Sequence, residues 1–163
     1  AVLVLLVDSL NGLEVVLTRR AKHLKHHPGQ ISFPGGKAEP SDKDLIHTAL
    51  REAHEEIGLP IDSIQILGSF PGSETISQFQ VTPIVAYSDF QHDWVIDHNE
   101  VQQVIQVPLD WLLHESNWRV ETGIFRKNKH HYYACWWQQH LIWGATGQLI
   151  KNLRQLVNVT DSF

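Results

Sequence analysis

The sequence predicts an α/β fold, a mixed sheet covered by helices. Three observations predict it: strand-like apolar runs at the front, one amphipathic helical stretch ending at Gly58, and an irregular alternation of strands and helices after it. Ala1–Val7 and Glu14–Arg19 read as strands joined by a turn around Asn11-Gly12, a pair that accepts positive φ. Residues 20–40 are loop-rich, punctuated by Pro28, Gly29, Pro34, Gly35, Gly36 and Pro40. A helix from Lys43 to Ile57 follows, with Asp42 as its N-cap and Gly58 as its left-handed end. Further strands are expected at Ile64–Phe70, Phe79–Ser88 and Gln102–Val107. Pro108–His114 reads as a short helix with proline in its first turn. A hairpin of Arg119–Phe125 with His131–Trp136 and a helix over Thr146–Leu156 complete the pattern. No repeat, linker or low-complexity segment interrupts it, so residues 1–163 read as one domain.

A chain of 163 residues is long enough to bury a core. The net charge of -5 argues against a general nucleic-acid binder, which normally carries a basic excess. No apolar run approaches the length of a membrane span, and Ala1–Val7 lacks the basic flank of a signal peptide. The chain starts inside a strand and holds no methionine, which points to natural residues missing from its front. The single cysteine, Cys135, cannot form an internal disulfide and reads as a packed thiol, consistent with a reducing, cytoplasmic setting.

The chemistry concentrates in Arg51-Glu52-Ala53-His54-Glu55-Glu56-Ile57-Gly58-Leu59. On a helix, Glu52, Glu55 and Glu56 stand at i, i+3 and i+4 and share one face. Ile46, Ala49, Leu50, Ala53 and Ile57 form the neighbouring apolar stripe. Clustered carboxylates repel each other by a few tenths of a kcal/mol per pair, and they invite a hard divalent cation such as Mg²⁺ or Mn²⁺. Carboxylates alone read as a solvated helix face. The preceding Phe33-Pro34-Gly35-Gly36 changes that reading, because paired glycines let backbone approach a ligand closely.

This run resembles the Nudix signature, G-x5-E-x7-R-E-U-x-E-E-x-G-U with U a bulky aliphatic. Gly36 opens it, Asp42 replaces the first glutamate, and Arg51, Glu52, Glu55, Glu56, Gly58 and Leu59 fill the rest. Ala53 is smaller than the usual aliphatic, and eight residues rather than seven separate Asp42 from Arg51. The resemblance implies a Nudix fold, an α/β/α sandwich around a mixed sheet, and hydrolysis of a diphosphate linkage in a small nucleotide-like substrate. It implies Glu52, Glu55 and Glu56 as metal ligands, joined by the Gly36 carbonyl, with Arg51 orienting the glutamates. A base must also take a proton from the attacking water. Glu52 is one candidate, and Glu100, in the His98-Asn99-Glu100-Val101 segment, is the other.

Upstream, Val16 to Gly36 is similar to L-L-T-x-R-[SA]-x3-R-x3-G-x3-F-P-G-G, a pattern of the coenzyme A pyrophosphatase branch. Thr18, Arg20, Ala21, Gly29, Phe33, Pro34, Gly35 and Gly36 match, and Lys25 stands where arginine is expected. Between Glu14 and Glu39 no acidic residue occurs, while Arg19, Arg20, Lys22, Lys25 and Lys37 do. Such a basic stretch on an acidic chain steers anionic substrate. Arg19, Arg20, Lys25, Gly29 and Gln30 are therefore the expected substrate contacts. Adjacent histidines at 26–27 and 130–131 point apart and make no zinc site, and Trp136, Trp137 and Trp143 read as packing residues.

Overall fold

A computed structural model describes residues 1–75, 78–89, 93–125 and 127–160. Its main sheet has six strands: β1 (Val2–Ser9), β2 (Gly12–Arg20), β3 (Ile31–Ser32), β4 (Gln65–Ser69), β7 (Pro83–Ser88) and β8 (Val101–Pro108). A two-stranded ribbon, β5 (Ser73–Glu74) with β6 (Gln80–Val81), lies between β4 and β7 in sequence. β1 pairs antiparallel with β2 and parallel with β7, which makes the sheet mixed. β2 pairs along most of its length with β8, and its far end also pairs with β3. A second sheet, β9 (Arg119–Phe125), β10 (Asn128–Trp137) and β11 (His140–Trp143), is antiparallel throughout. The long helices are α1 (Leu45–Ile57) and α3 (Gly144–Thr160), with the short α2 (Leu109–Leu113) between them. No helix among the described residues is long and apolar enough to cross a membrane.

Strand alternation explains the layers. Leu3, Val4 and Leu5 are all fully buried although successive side chains point to opposite faces. Leu3 and Leu5 join Val16, Ala49, Ala53, Ile57 and Ala86 in a core beneath α1. Val4 joins Val15, Leu17, Ile105, Ile142, Leu149 and Ile150 in a second core on the other face, under α3 and the small sheet. Burying a Leu or Ile side chain stabilises by about 1.5–3 kcal/mol, so both faces of β1 anchor the fold. α1 meets the sheet through Ala49, Ala53 and Ile57, each fully buried and spaced four apart. The small alanines let the helix lie close. Ile46, expected in that stripe, is 37% exposed because it sits in the first turn, beyond the sheet.

Several boundaries differ from expectation for physical reasons. Asp44, not Asp42, caps α1: its carboxylate accepts the His47 N–H at 2.7 Å, and the helix begins at Leu45. Asp42 is engaged by Arg51 instead. Gly58 ends α1 in the left-handed conformation as expected, with φ 68°. The strand anticipated over Phe79–Ser88 breaks at Thr82, whose carbonyl accepts from Val2 N–H. Pro108 closes β8 and caps α2 rather than entering its first turn. The hairpin gains a third strand, β11, after the tight turn at Gln138.

Asp44→Ala should lower stability by about 1 kcal/mol, the usual cost of losing a carboxylate N-cap. Urea unfolding measures it. Asp42→Ala, by contrast, should leave the helix start intact and disturb Arg51.

Candidate active site

α1 presents Glu52 and Glu56 one turn apart, and the 95–100 segment is tied to its C-terminal end. Val95 N–H donates to Ile57 O at 3.1 Å and Asp97 N–H to Glu56 O at 3.0 Å. Glu100 N–H then donates to Asp97 O at 3.0 Å, and Ala21 N–H donates to Glu100 O at 2.9 Å. These bonds fix Glu100 between the end of the helix and the end of β2, near enough for its charge to raise the pKa of both Glu52 and Glu56.

Glu56 is 4% exposed, a rare state for a carboxylate. Burial pushes it up to about 8; the Gly35 N–H opposes that rise by donating to Oε2 at 3.1 Å, while the charges of Glu52 and Glu100 add to it. Arg20 also opposes it, so this guanidinium stands on the carboxylate side of β2. Glu52 is raised as well, first by burial, with Arg51 opposing and Glu55 and Glu100 adding. A Cβ on Gly36 would collide with the Glu52 carboxylate, so glycine is what permits this close approach. The Gly36 carbonyl accepts the Ala1 amino group at 2.9 Å.

Arg51 is the hub beside these acids. Its Nε and Nη2 reach the two oxygens of Asp42 at 2.9 and 3.1 Å, and Nη2 also donates to Lys37 O at 3.0 Å. Nη1 donates to Glu52 Oε1 at 3.2 Å and Glu55 Oε2 at 3.3 Å. The bidentate fork lowers the Asp42 carboxyl well below the usual range and raises Arg51. Glu55, 55% exposed, thus leans on Arg51 in this structure. Among the described residues no three His, Cys, Asp or Glu side chains converge on one point. The Arg51 fork accounts for this by drawing Glu52 and Glu55 toward itself. The donors nonetheless suit a hard cation: they are oxygens, two of them are held out of water, and they raise one another's proton affinity.

The basic stretch divides. The loop 21–30 closes on Arg20, whose N–H donates to Gln30 O at 2.9 Å and whose carbonyl accepts from Gly29 N–H at 3.1 Å. Gly29 allows this with φ 70°. Lys25 stays exposed on the loop. Arg19, one residue before Arg20, faces the small sheet instead, where Nη2 meets His140 Nδ1 at 2.6 Å. The two arginines are neighbours in sequence and read as one basic surface, but the period of two in β2 points them apart. Asp97, which pins the Glu100 segment, and Asp42 as an anchor of Arg51 emerge only from the tertiary contacts.

Residues 1–127 match the NUDIX domain family model. The chain belongs to the Nudix family. It is 37% identical over 139 residues to an uncharacterised Nudix hydrolase, NudL, of Pectobacterium atrosepticum, covering 85% of this chain and 72% of the relative. With NudL of Yersinia enterocolitica it shares 40% over 146 residues, covering 89% and 74%. The NUDIX domain of Shewanella oneidensis NrtR, solved with ADP ribose, superposes with a TM-score of 0.58 at 19% identity, covering 96% of this chain and 85% of that one; this likeness shows the fold. The chain is a Nudix hydrolase, and Nudix hydrolases generally use divalent metal ions.

The buried carboxyl makes a stability test. Folded Glu56 holds its proton up to about pH 8, whereas an ordinary glutamate loses it near 4.5. Below the lower value both states are protonated and no penalty exists. As pH rises, the unfolded chain releases the proton first, so metal-free stability falls until about pH 8. Glu56→Gln removes that fall. The metal-free variant should match the parent at pH 4 and exceed it at pH 8 by on the order of 4 kcal/mol, at about 1.4 kcal/mol per tenfold in proton affinity. Denaturant melts with chelator at both pH values measure the gap.

Proposed function

We propose that this Nudix hydrolase cleaves the diphosphate linkage of coenzyme A or its derivatives, with water, to 3',5'-ADP and 4'-phosphopantetheine. The observation that carries the reading is the loop closed by Arg20, Gly29 and Gln30, which spans the branch pattern, with Arg20 continuing the Val16 row of β2 on the face that packs under α1 and lying near enough to Glu56 to oppose its rise. Arg20 Nε is buried and has no hydrogen-bond partner, and no carboxylate among the described residues pairs with its guanidinium. A diphosphate would satisfy it through charge-assisted bonds.

Glu52, Glu56 and Glu55 are the residues that would hold Mg²⁺ or Mn²⁺, with the Gly36 carbonyl as a further oxygen. When bound, the cation supplies charge neutralisation at the diphosphate oxygens. Glu56, fixed by Gly35, keeps its carboxylate in place without help from solvent. Arg51 holds Glu52 and Glu55 by one oxygen each and acts as a positioning residue. Arg20 grips the diphosphate from the sheet side, and Lys25 and Gln30 extend the contact along the loop. Glu100 or Glu52 accepts the proton of the attacking water. Glu100 suits the role by position, being exposed beside the carboxylates and making no contact with Arg51.

A substrate panel with Mg²⁺ and Mn²⁺ tests the reading. Coenzyme A should be cleaved, and its dephospho form should be about ten- to hundredfold poorer by kcat/KM, the effect of one charge-assisted phosphate contact of about 1.5–3 kcal/mol. Glu56→Gln should lose turnover by orders of magnitude while remaining folded, and Arg20→Ala should raise KM more than it lowers kcat. Clear preference for ADP-ribose or a dinucleotide would replace coenzyme A as the substrate.

A further inference from the structure

On the face of β2 opposite the carboxylates lies a cavity of about 340 Å³ between the end of the strand, the 28–30 loop and the β10–β11 hairpin. That size suits part of a small-molecule ligand. Arg19, Gln30, Gln139, Leu141, Trp136 and Trp143 line it. Arg19 reaches it because β2 alternates: Val15 and Leu17 belong to the core on this face, and Arg19 continues their row. It is also the position that the coenzyme A branch pattern leaves free.

The wall is chemically unbalanced. Arg19 Nε is buried with no hydrogen-bond partner, and no carboxylate among the described residues pairs with its guanidinium. Among the described residues its Nη2 meets the Nδ1 of His140, which is 3% exposed. A guanidinium N–H can only donate, so Nδ1 accepts, and burial together with the Arg19 charge lowers the His140 pKa in keeping with that role. A half-buried cation whose contact is a neutral ring lacks a counter-charge, and buried polar groups are otherwise paired. Beside it Trp136 is 62% exposed despite its size, while Trp143 is steadied by Tyr132 at 5.2 Å between ring centres. Two glutamine amides add donors and acceptors. A cation with a free N–H, an exposed indole and two amides are complementary to a flat, hydrogen-bonding ring that carries an acid group.

We propose that this cavity binds a nucleoside phosphate, with its phosphate on Arg19 and its base against Trp136 and Trp143. Two sources supply that chemistry: the nucleoside half of the enzyme's own substrate, or a separate nucleotide. The first rests on the function proposed above; the cavity itself does not.

Adenosine 3',5'-bisphosphate has no diphosphate linkage, so it can be titrated into the full chain with Mg²⁺ present, read by calorimetry and by quenching of tryptophan fluorescence. Binding should weaken at least tenfold in Arg19→Gln and in Trp136→Leu. The latter change is at an exposed rim, and it keeps the test open should the first variant fold poorly. Adenosine without phosphate should bind the parent at least tenfold more weakly than the bisphosphate, and Arg19→Gln should erase that difference. Parent-like binding of the bisphosphate in both variants, or no binding to the parent, overturns the proposal. A raised KM for the cleaved substrate in Arg19→Gln assigns the cavity to the substrate's nucleoside end. An unchanged KM with lost bisphosphate binding assigns it to a separate nucleotide. Bisphosphate binding without coenzyme A cleavage would retire the substrate reading and leave the cavity standing.

Discussion

A carboxylate kept out of water is the constraint on which the rest of this site is built. Glu56 is buried where α1 meets the Pro34–Gly36 turn, and the backbone N–H of Gly35 is its hydrogen-bond partner there. One hydrogen bond cannot offset the desolvation of a full negative charge, so the group holds its proton unless a cation arrives. Much of the surrounding architecture follows from placing it. Ala49 and Ala53 let α1 approach β1 and β7 closely, Gly36 makes room for Glu52, and the 95–100 segment hangs from the last turn of the helix.

The Arg51 fork organises the other half of the site. Asp42 occupies its Nε and Nη2 edge, leaving Nη1 for Glu52 and Glu55. Asp42 itself is held by Glu39 N–H and the Thr48 hydroxyl. This chain of contacts links the loop before α1 to the glutamates on it. An aspartate, one residue farther from Arg51 than the family signature places its glutamate, still reaches because the chain between Asp42 and the Asp44 cap is not yet helical. Arg51 therefore fixes where Glu52 and Glu55 stand relative to the loop before α1.

Much of this was legible in the sequence. The helix expected over Lys43–Ile57, which forms from Leu45, its glycine end, the central strands and the Arg119 hairpin follow from period and punctuation, and the carboxylates share a face because helical spacing dictates it. What was not legible has a common cause: it depends on tertiary partners. The N-cap passed from Asp42 to Asp44 because Arg51 claims the former. β3 and β11 are short and show no alternation of their own; each exists through its neighbours, β2 and β10. Glu56 and Glu55 look alike in sequence, yet one is buried against a backbone N–H and the other is exposed on an arginine. Arg19 and Arg20 likewise read as one basic patch, although strand alternation sends them to opposite faces.

Glu56 is buried where it can receive a cation only if the protein binds that cation through it. Mn²⁺ titrated into metal-free protein and followed by electron paramagnetic resonance answers this without any substrate. The parent should show a tight site that weakens on the order of a hundredfold in Glu56→Gln, since affinity for a hard cation follows the number of charged ligands. Mn²⁺ affinity in Glu56→Gln equal to that of the parent would contradict it.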